Sequence, residues 1–216
     1  MSFNFPEELT IKKNKEIIND VLKKQVSLEI KQFSLEEDFE SDCSNIFFIL
    51  DFYYKTNKQY EVKSSGSGVI DALFTGVINK FSDAYISLKN IALHAYISLK
   101  NIALHDFLVN VNFKKSNSPL QTDAPVEVKI TLRGAEGCKL YFKAESKSLT
   151  KSAIKAVCSA MEYLINAELA VVQLSKDIKS ADKRGRNDLQ REYVSQLSEL
   201  VKFVSYSKVI NNLNKK

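Results

Sequence analysis

Apolar positions recur at helical spacing at the start of the chain. Pro6, Glu7 and Glu8 form a first-turn signature, and Leu9, Ile17, Ile18, Val21 and Leu22 make one stripe, predicting a helix to about Lys24. The pattern then changes. Residues 26–35, 45–55 and 59–63 are rich in β-branched and aromatic side chains and predict three strands. Gly66-Ser67-Gly68 leads from the third into a helical pattern from Val69 to about Phe81.

The same order returns later. Residues 102–113 alternate through Phe107, Val109, Val111 and Phe113, as a half-buried strand should. Residues 126–132 and 138–144 predict two further strands, joined across residues 134–137. Ser146 to Ser148 supply a cap for a long helix from about Leu149 to Ser175 or beyond. The charged segment 180–188 carries the only late glycine and interrupts the pattern. Residues 189–213 resume it, with Tyr193, Leu197, Leu200, Val201, Val204 and Val209 on one side of an amphipathic helix. That helix could fold back on the domain or dock on a second chain. The fold class is α+β: two βββα units with N- and C-terminal helical extensions, each unit burying one sheet face under its helix. The expected divisions are an N-terminal helix (1–25), a main domain (26–175, with units at about 26–82 and 102–175) and a helical tail (176–216).

Between the units lies a verbatim tandem repeat. Residues 84–94 read AYISLKNIALH, and residues 95–105 repeat the same eleven letters. Identity at every position points to a recent or deliberate insertion, and solenoid repeats are longer and more numerous. Eleven residues make about three helical turns, so an inserted copy keeps its face if helical. Tyr85, Leu88, Ile91 and Ala92 allow that reading. The expectation is a lengthened helix or an excursion, with one copy alone holding the original register. Both histidines, His94 and His105, belong to the repeat, so the parent sequence had one, too few for a histidine pair on a metal.

Length and composition add limits. The chain has 216 residues, 44% hydrophobic and 26% charged, enough to bury a core without disulfide or metal. Cys43, Cys138 and Cys158 are far apart and odd in number, which reads as reduced thiols in a cytoplasmic protein. No apolar run reaches the ~18 residues of a spanning helix, and the first five residues do not open a signal peptide, so no membrane partner is expected. Net charge is +5, and it sits in the tail: from Lys176 onward there are ten Lys/Arg against five Asp/Glu, leaving 21 of each sign before it. The main domain therefore lacks the field that draws nucleic acid. Helix-βββ-helix over residues 7–81 has the element order of a double-stranded RNA-binding domain, but the last helix opens on Gly-Val-Ile-Asp instead of lysines. Lys183, Arg184 and Arg186 lie beside Asp182 and Asp188 and read as a solvated turn. No acid pair, nucleophile–base set or phosphate loop with its lysine is present, so an independent enzyme is not expected. No cofactor is implied.

Four segments in order carry a resemblance. Gly66-Ser67-Gly68-Val69-Ile70-Asp71-Ala72-Leu73 resembles the GxGPVDAL segment in the regulatory domain of α-isopropylmalate and citramalate synthases. Leu99 through Phe107 resembles that family's L-x-x-I-x-L-x-D-Y stretch, and Thr122-Asp123-Ala124 with Val126-Glu127-Val128 its T-D-A-x-V-x-V strand entry. Ser146 through Ala156 resembles the start of its second helix. The similarity spans about residues 26–170.

The resemblance implies a C-terminal regulatory domain, excised or free-standing, that forms homodimers and binds the feedback amino acid of branched-chain biosynthesis, leucine or isoleucine. The family's catalytic TIM barrel and its metal are missing from this chain, so a separate synthase subunit is an implied partner. Gly66, Ser67, Gly68 and Ala72 are the implied effector site; two glycines before a helix let N–H groups approach a carboxylate. Leu104, Phe107 and Val111 align with the aliphatic pocket wall, and Ala124 borders it. A plain strand core would also explain these four, and helix packing would explain Ala72. Asp71 reads as a first-turn acid favoured by the helix dipole. Val69 stands where the family has Pro, Phe107 replaces its Tyr, and Ser148 its Asn or Asp. These departures leave an alternative: a structural dimerisation protein of the same fold without a ligand.

Overall fold

The computed structural model describes residues 6–89, 91–92, 102–113, 124–134 and 139–201. In chain order the elements are α1 (Pro6–Val21), β1 (Ser27–Asp38), β2 (Cys43–Tyr53), β3 (Asn57–Gly66), α2 (Val69–Phe81) and α3 (Ile86–Lys89). There follow β4 (Ile91–Ala92), β5 (Ile102–Val111), β6 (Val126–Gly134), β7 (Lys139–Ser146), α4 (Leu149–Lys183) and α5 (Asn187–Val201). One sheet has the order β1-β2-β3, the other β4-β5-β6-β7, and all long strands pair antiparallel. The protein is thus α+β, with two antiparallel three-stranded sheets each followed by helices and β4 added as a two-residue parallel edge.

Alternation explains which face each sheet buries. Ile46, Phe48, Leu50 and Phe52 of β2 point inward under α2, while Val128, Ile130 and Leu132 of β6 with Leu140 and Phe142 of β7 point toward α4. The first long strand of each sheet, β1 or β5, carries a bulge. Lys31 is extra between Ile30 and Gln32, and His105 is extra between Leu104 and Asp106. Each bulge flips the register by one residue and so returns the following aromatic, Phe33 or Phe107, to the inner side. The two units thus share the bulge and the strand order, while the connection from the first to the second strand is four residues in one and fourteen in the other.

Helix α4 serves both units. Ser148 caps it, its Oγ accepting from the Lys151 N–H at 3.3 Å. Most of its second to seventh turns are buried, on β6 and β7 of its own unit and on α1, α2, α3 and β1. Polar side chains clamp it to the first unit. Asn166 accepts from the Val26 N–H at 2.7 Å and donates to the Val26 carbonyl at 2.9 Å. Glu162 accepts from the Leu28 N–H at 2.6 Å and the Ser27 hydroxyl at 3.2 Å. Glu168, also buried, accepts from the N–H groups of Ile86 and Ser87, which open α3. By length and composition α4 could cross a membrane, but 72% of its most apolar window is buried against the rest of the protein.

Helix α4 runs past Ser175 to Lys183, and the expected break within residues 180–188 comes at Arg184 to Arg186, where Gly185 takes φ +65, a left-handed turn that favours glycine. Helix α5 then doubles back along α4 and buries Leu200, with Lys13 and Glu199 paired at 3.3 Å. Residues 202–213 of the expected late helix lie outside the described residues. The duplication does not leave the register to one copy. The first copy gives α3, with Leu88 fully buried and the Tyr85 ring 6.4 Å from Phe52; the second gives the start of β5. The helix implied by Ile91 and Ala92 stops at Lys89 instead, and these two residues pair in parallel with Ile102 and Ala103. Each residue lies beside its own counterpart in the other copy.

Two outcomes follow for α4. Asn166→Ala strands both buried polar groups of Val26 and should lower unfolding free energy by about 2–3 kcal/mol in urea titration. Burial pushes the Glu162 carboxyl above its ordinary 4.5, although the bonds from Leu28 and Ser27 oppose this. A raised folded-state pKa means the native state holds the proton more tightly. The contribution is therefore full below about 4.5 and is lost as pH rises through the folded value. Urea titrations across that range should show the wild type losing stability relative to Glu162→Gln as pH rises.

Candidate functional site

The eight residues singled out from the sequence fall into two groups. Gly66, Ser67, Gly68 and Ala72 form the turn from β3 into α2; Leu104, Phe107, Val111 and Ala124 belong to the second sheet. Helix α2 packs chiefly on β3, β2 and α4, so the turn and strand β5 are held on different sheets.

The turn is closed upon itself. A Cβ on Gly66 would lie 2.5 Å from the Ala72 nitrogen and 2.7 Å from Asp71 Oδ2, so only glycine permits this approach. Gly68 is the N-cap, in extended backbone, and its carbonyl accepts from the Ala72 N–H at 2.9 Å. Asp71 does more than favour the helix dipole. Its Oδ2 accepts from the Ser67 N–H at 2.9 Å and the Ser67 hydroxyl at 3.3 Å, so the chain's own carboxylate takes one amide that would meet an effector carboxylate. Ala72 is fully buried, and the Ser64 hydroxyl donates to its carbonyl; it packs in the core.

Above the turn stands the β1–β2 hairpin. A cavity of about 160 Å³ between them is lined by Ser67 and Gly68 on one side and by Glu37, Asp38 and Asp42 on the other. All its charged groups are acidic. Chemically it suits an ammonium group facing the hairpin, with the helix start behind.

On β5 the apolar residues face the core side of their sheet, and among the described residues no helix packs closely over them. Leu104 is half-buried, while Phe107 is 37% and Val111 44% exposed, and Phe113 just past the strand is 55% exposed. Helix α4 lies over β6 and β7 and stops short of this edge. Ala124 is buried at the entry to β6, next to Pro125, whose carbonyl accepts from the Asn112 N–H at 2.9 Å. One wall of an aliphatic pocket is present, and the opposite wall is not supplied by α2.

The titratable groups do structural work. Cys158 is buried and its thiol is pushed up to about 12, chiefly by desolvation, so it stays protonated at neutral pH. Burial pushes the phenols of Tyr85 and Tyr163 to about 12 as well, and Tyr163 accepts from the buried Asn14 amide at 3.0 Å. His105 is exposed at its bulge; His94 and Cys138 lie outside the described residues. Among the described residues, no three His, Cys, Asp or Glu side chains are grouped to hold a metal ion. In the basic segment, Arg186 pairs with Asp188 at 2.7 Å and Arg184 Nε donates to the Ser180 carbonyl at 3.1 Å. Sequence reasoning passed over the turn at residues 39–42, where Phe39 is 86% exposed. The signal was there: one aromatic residue inside an otherwise acidic run.

The two glycines should respond differently. Gly66→Ala meets backbone that cannot yield and should cost about 1–3 kcal/mol in denaturant titration. Gly68→Ala meets nothing within 4 Å and should stay within about 0.5 kcal/mol of wild type.

Comparison of the chain with protein-family models gives no match, and no curated protein is significantly similar to it in sequence.

Proposed function

We propose that this chain is a regulatory and dimerisation module of the kind that follows the catalytic barrel in α-isopropylmalate and citramalate synthases, with leucine or isoleucine as its effector. The observation that carries the reading is the internal repetition. Two three-stranded sheets, bulged alike at Lys31 and His105, each pass through a tight turn into a covering helix. Of the four resembling segments, residues 66–73 and 146–156 lie at the starts of α2 and α4, and the described parts of the other two lie at the openings of β5 and β6. The acidic cavity at Ser67 and Gly68 offers partners for an effector's ammonium group. The partly exposed residues Phe107 and Val111 of β5 offer an aliphatic wall. Regulation of a synthase subunit then needs a coupling of only about 1–3 kcal/mol.

A second reading has its own observation. The Asp71 carboxylate already holds the Ser67 amide, which favours a dimerisation scaffold of the same fold without a ligand. Calorimetric titration with leucine and with isoleucine separates the two, run on the wild type and on a variant lacking residues 84–94. Saturable heat with one amino acid in both proteins is expected for an effector domain. Heat only in the shortened chain means the duplication disrupts a working site; no heat in either leaves the scaffold. Sedimentation at tens of micromolar should give a dimer, and a monomer there overturns the association common to both readings.

A further inference from the structure

The β1–β2 turn and a groove beside the start of α4 are opposite in charge and alike in carrying apolar surface at their centres. We propose that they bind one another between two copies of this chain, the acidic turn around Phe39 of each docking into the lysine-rimmed groove of the other. This rests on the self-association in the reading above and names its contact.

The turn is built to present Phe39. Asp38 Oδ1 accepts from the Glu40 N–H at 2.9 Å, its Oδ2 accepts from the Ser41 hydroxyl at 2.8 Å, and Asp42 adopts φ 49. The backbone is thus ordered before any partner arrives, which lowers the cost of docking. Phe39 stands 86% exposed among five carboxylates, Glu36, Glu37, Asp38, Glu40 and Asp42, with no cation in that run. An aromatic ring this exposed, held on an ordered turn, is the type of side chain that anchors interfaces.

The groove has the opposite character. Its volume is about 510 Å³, with Ile30, Phe33 and Ile154 among its apolar lining, and exposed Lys151 and Lys155 stand at its rim. Lys31 and Glu29, also at the rim, neutralise each other at 2.6 Å. The first turn of α4 has no acid to offset its positive end, so the lysines add to the helix dipole instead of cancelling it. An acidic partner relieves both.

The contact cannot close within one chain. Phe33 and Phe39 lie on the same hairpin six residues apart, about 20 Å along the strand, so the turn is held away from the groove its own strand lines. Between two copies the same separation lets both contacts form together about a twofold axis, which closes the assembly at a dimer.

The test is sedimentation of the full-length chain over a concentration series, with circular dichroism to verify folding. Phe39→Ala, and separately the pair Lys151→Glu with Lys155→Glu, should each weaken the dimer about tenfold or more. Adding Glu37→Lys and Glu40→Lys to the lysine pair should restore it, because both reciprocal contacts then reverse sign. Val109→Asp, on the uncovered face of β5, is the comparison. A dimer that resists the turn and groove variants overturns this contact and leaves the proposed function standing, and loss on Val109→Asp alone reassigns the interface to β5. Weakening without rescue by the charge exchange also overturns it. A wild-type monomer throughout overturns both this contact and the association it rests on. A monomer that takes up a labelled acidic peptide of unrelated sequence through Lys151 and Lys155 assigns the groove to an outside partner, and overturns the pairing of copies.

Discussion

Backbone polar groups that become buried where one unit meets another must find partners, and in this protein helix α4 supplies them. The start of β1 and the start of α3 both leave N–H groups that their own unit does not satisfy. Glu162 and Asn166, one turn apart on α4, take those of Leu28 and Val26; Glu168, on another side of the helix, takes those of Ile86 and Ser87. The helix belongs to the second unit by sequence, and it holds the first unit at its beginning and at its end. The core is accordingly one cluster running from Ile11 to Leu200. Two carboxylates and an amide at these positions would look out of place in a buried helix if only hydrophobic pattern were considered.

What the chain discloses in advance follows from the range of the interactions involved. Helix α2 is legible to its bounds because a glycine turn, an apolar stripe and the following Ser82 and Asp83 are all local. Strands β2, β3 and β6 are legible from their β-branched and aromatic runs. The bulges at Lys31 and His105 are not, since they depend on which residue of the neighbouring strand lies opposite. The break between α4 and α5 is legible from the glycine of the charged segment, but its exact residue is not, because Ala181, Asp182 and Lys183 suit a helix surface as well as a turn. The duplicated segment offered no basis for assigning roles, as identical residues carry identical preferences. In the candidate site, glycine at position 66 was readable as a close approach, but the Asp71 carboxylate that fills it was not. Phe107 and Val111 were readable as the inner side of a strand. That no described helix packs closely over them is a property of packing between elements, which alternation does not encode.

The repeated units also differ in a way that polarises the molecule. Asp71 and Lys151 are each the third residue of the helix that closes their unit. In the first unit the acid reinforces the helix start and is joined by the carboxylates of the hairpin above it. In the second, the cap is a serine hydroxyl and the third residue is a cation. Turns at corresponding places in the two units thus carry opposite electrostatic signs. The unequal charge lies at matching places on a nearly symmetric frame, so the first unit has an acidic pole and the second a basic one.

The divided use of the eleven-residue copies bears on how the gene can change. One copy is read as helix α3 and the other as the opening of β5, and Ile91 and Ala92 lie beside their equivalents Ile102 and Ala103. Removing eleven residues at any phase within the pair leaves a single AYISLKNIALH, with the letters of both elements intact and in order. Loss of one copy by replication slippage therefore shortens the sequence between α3 and β5 and spares the core sequences on either side.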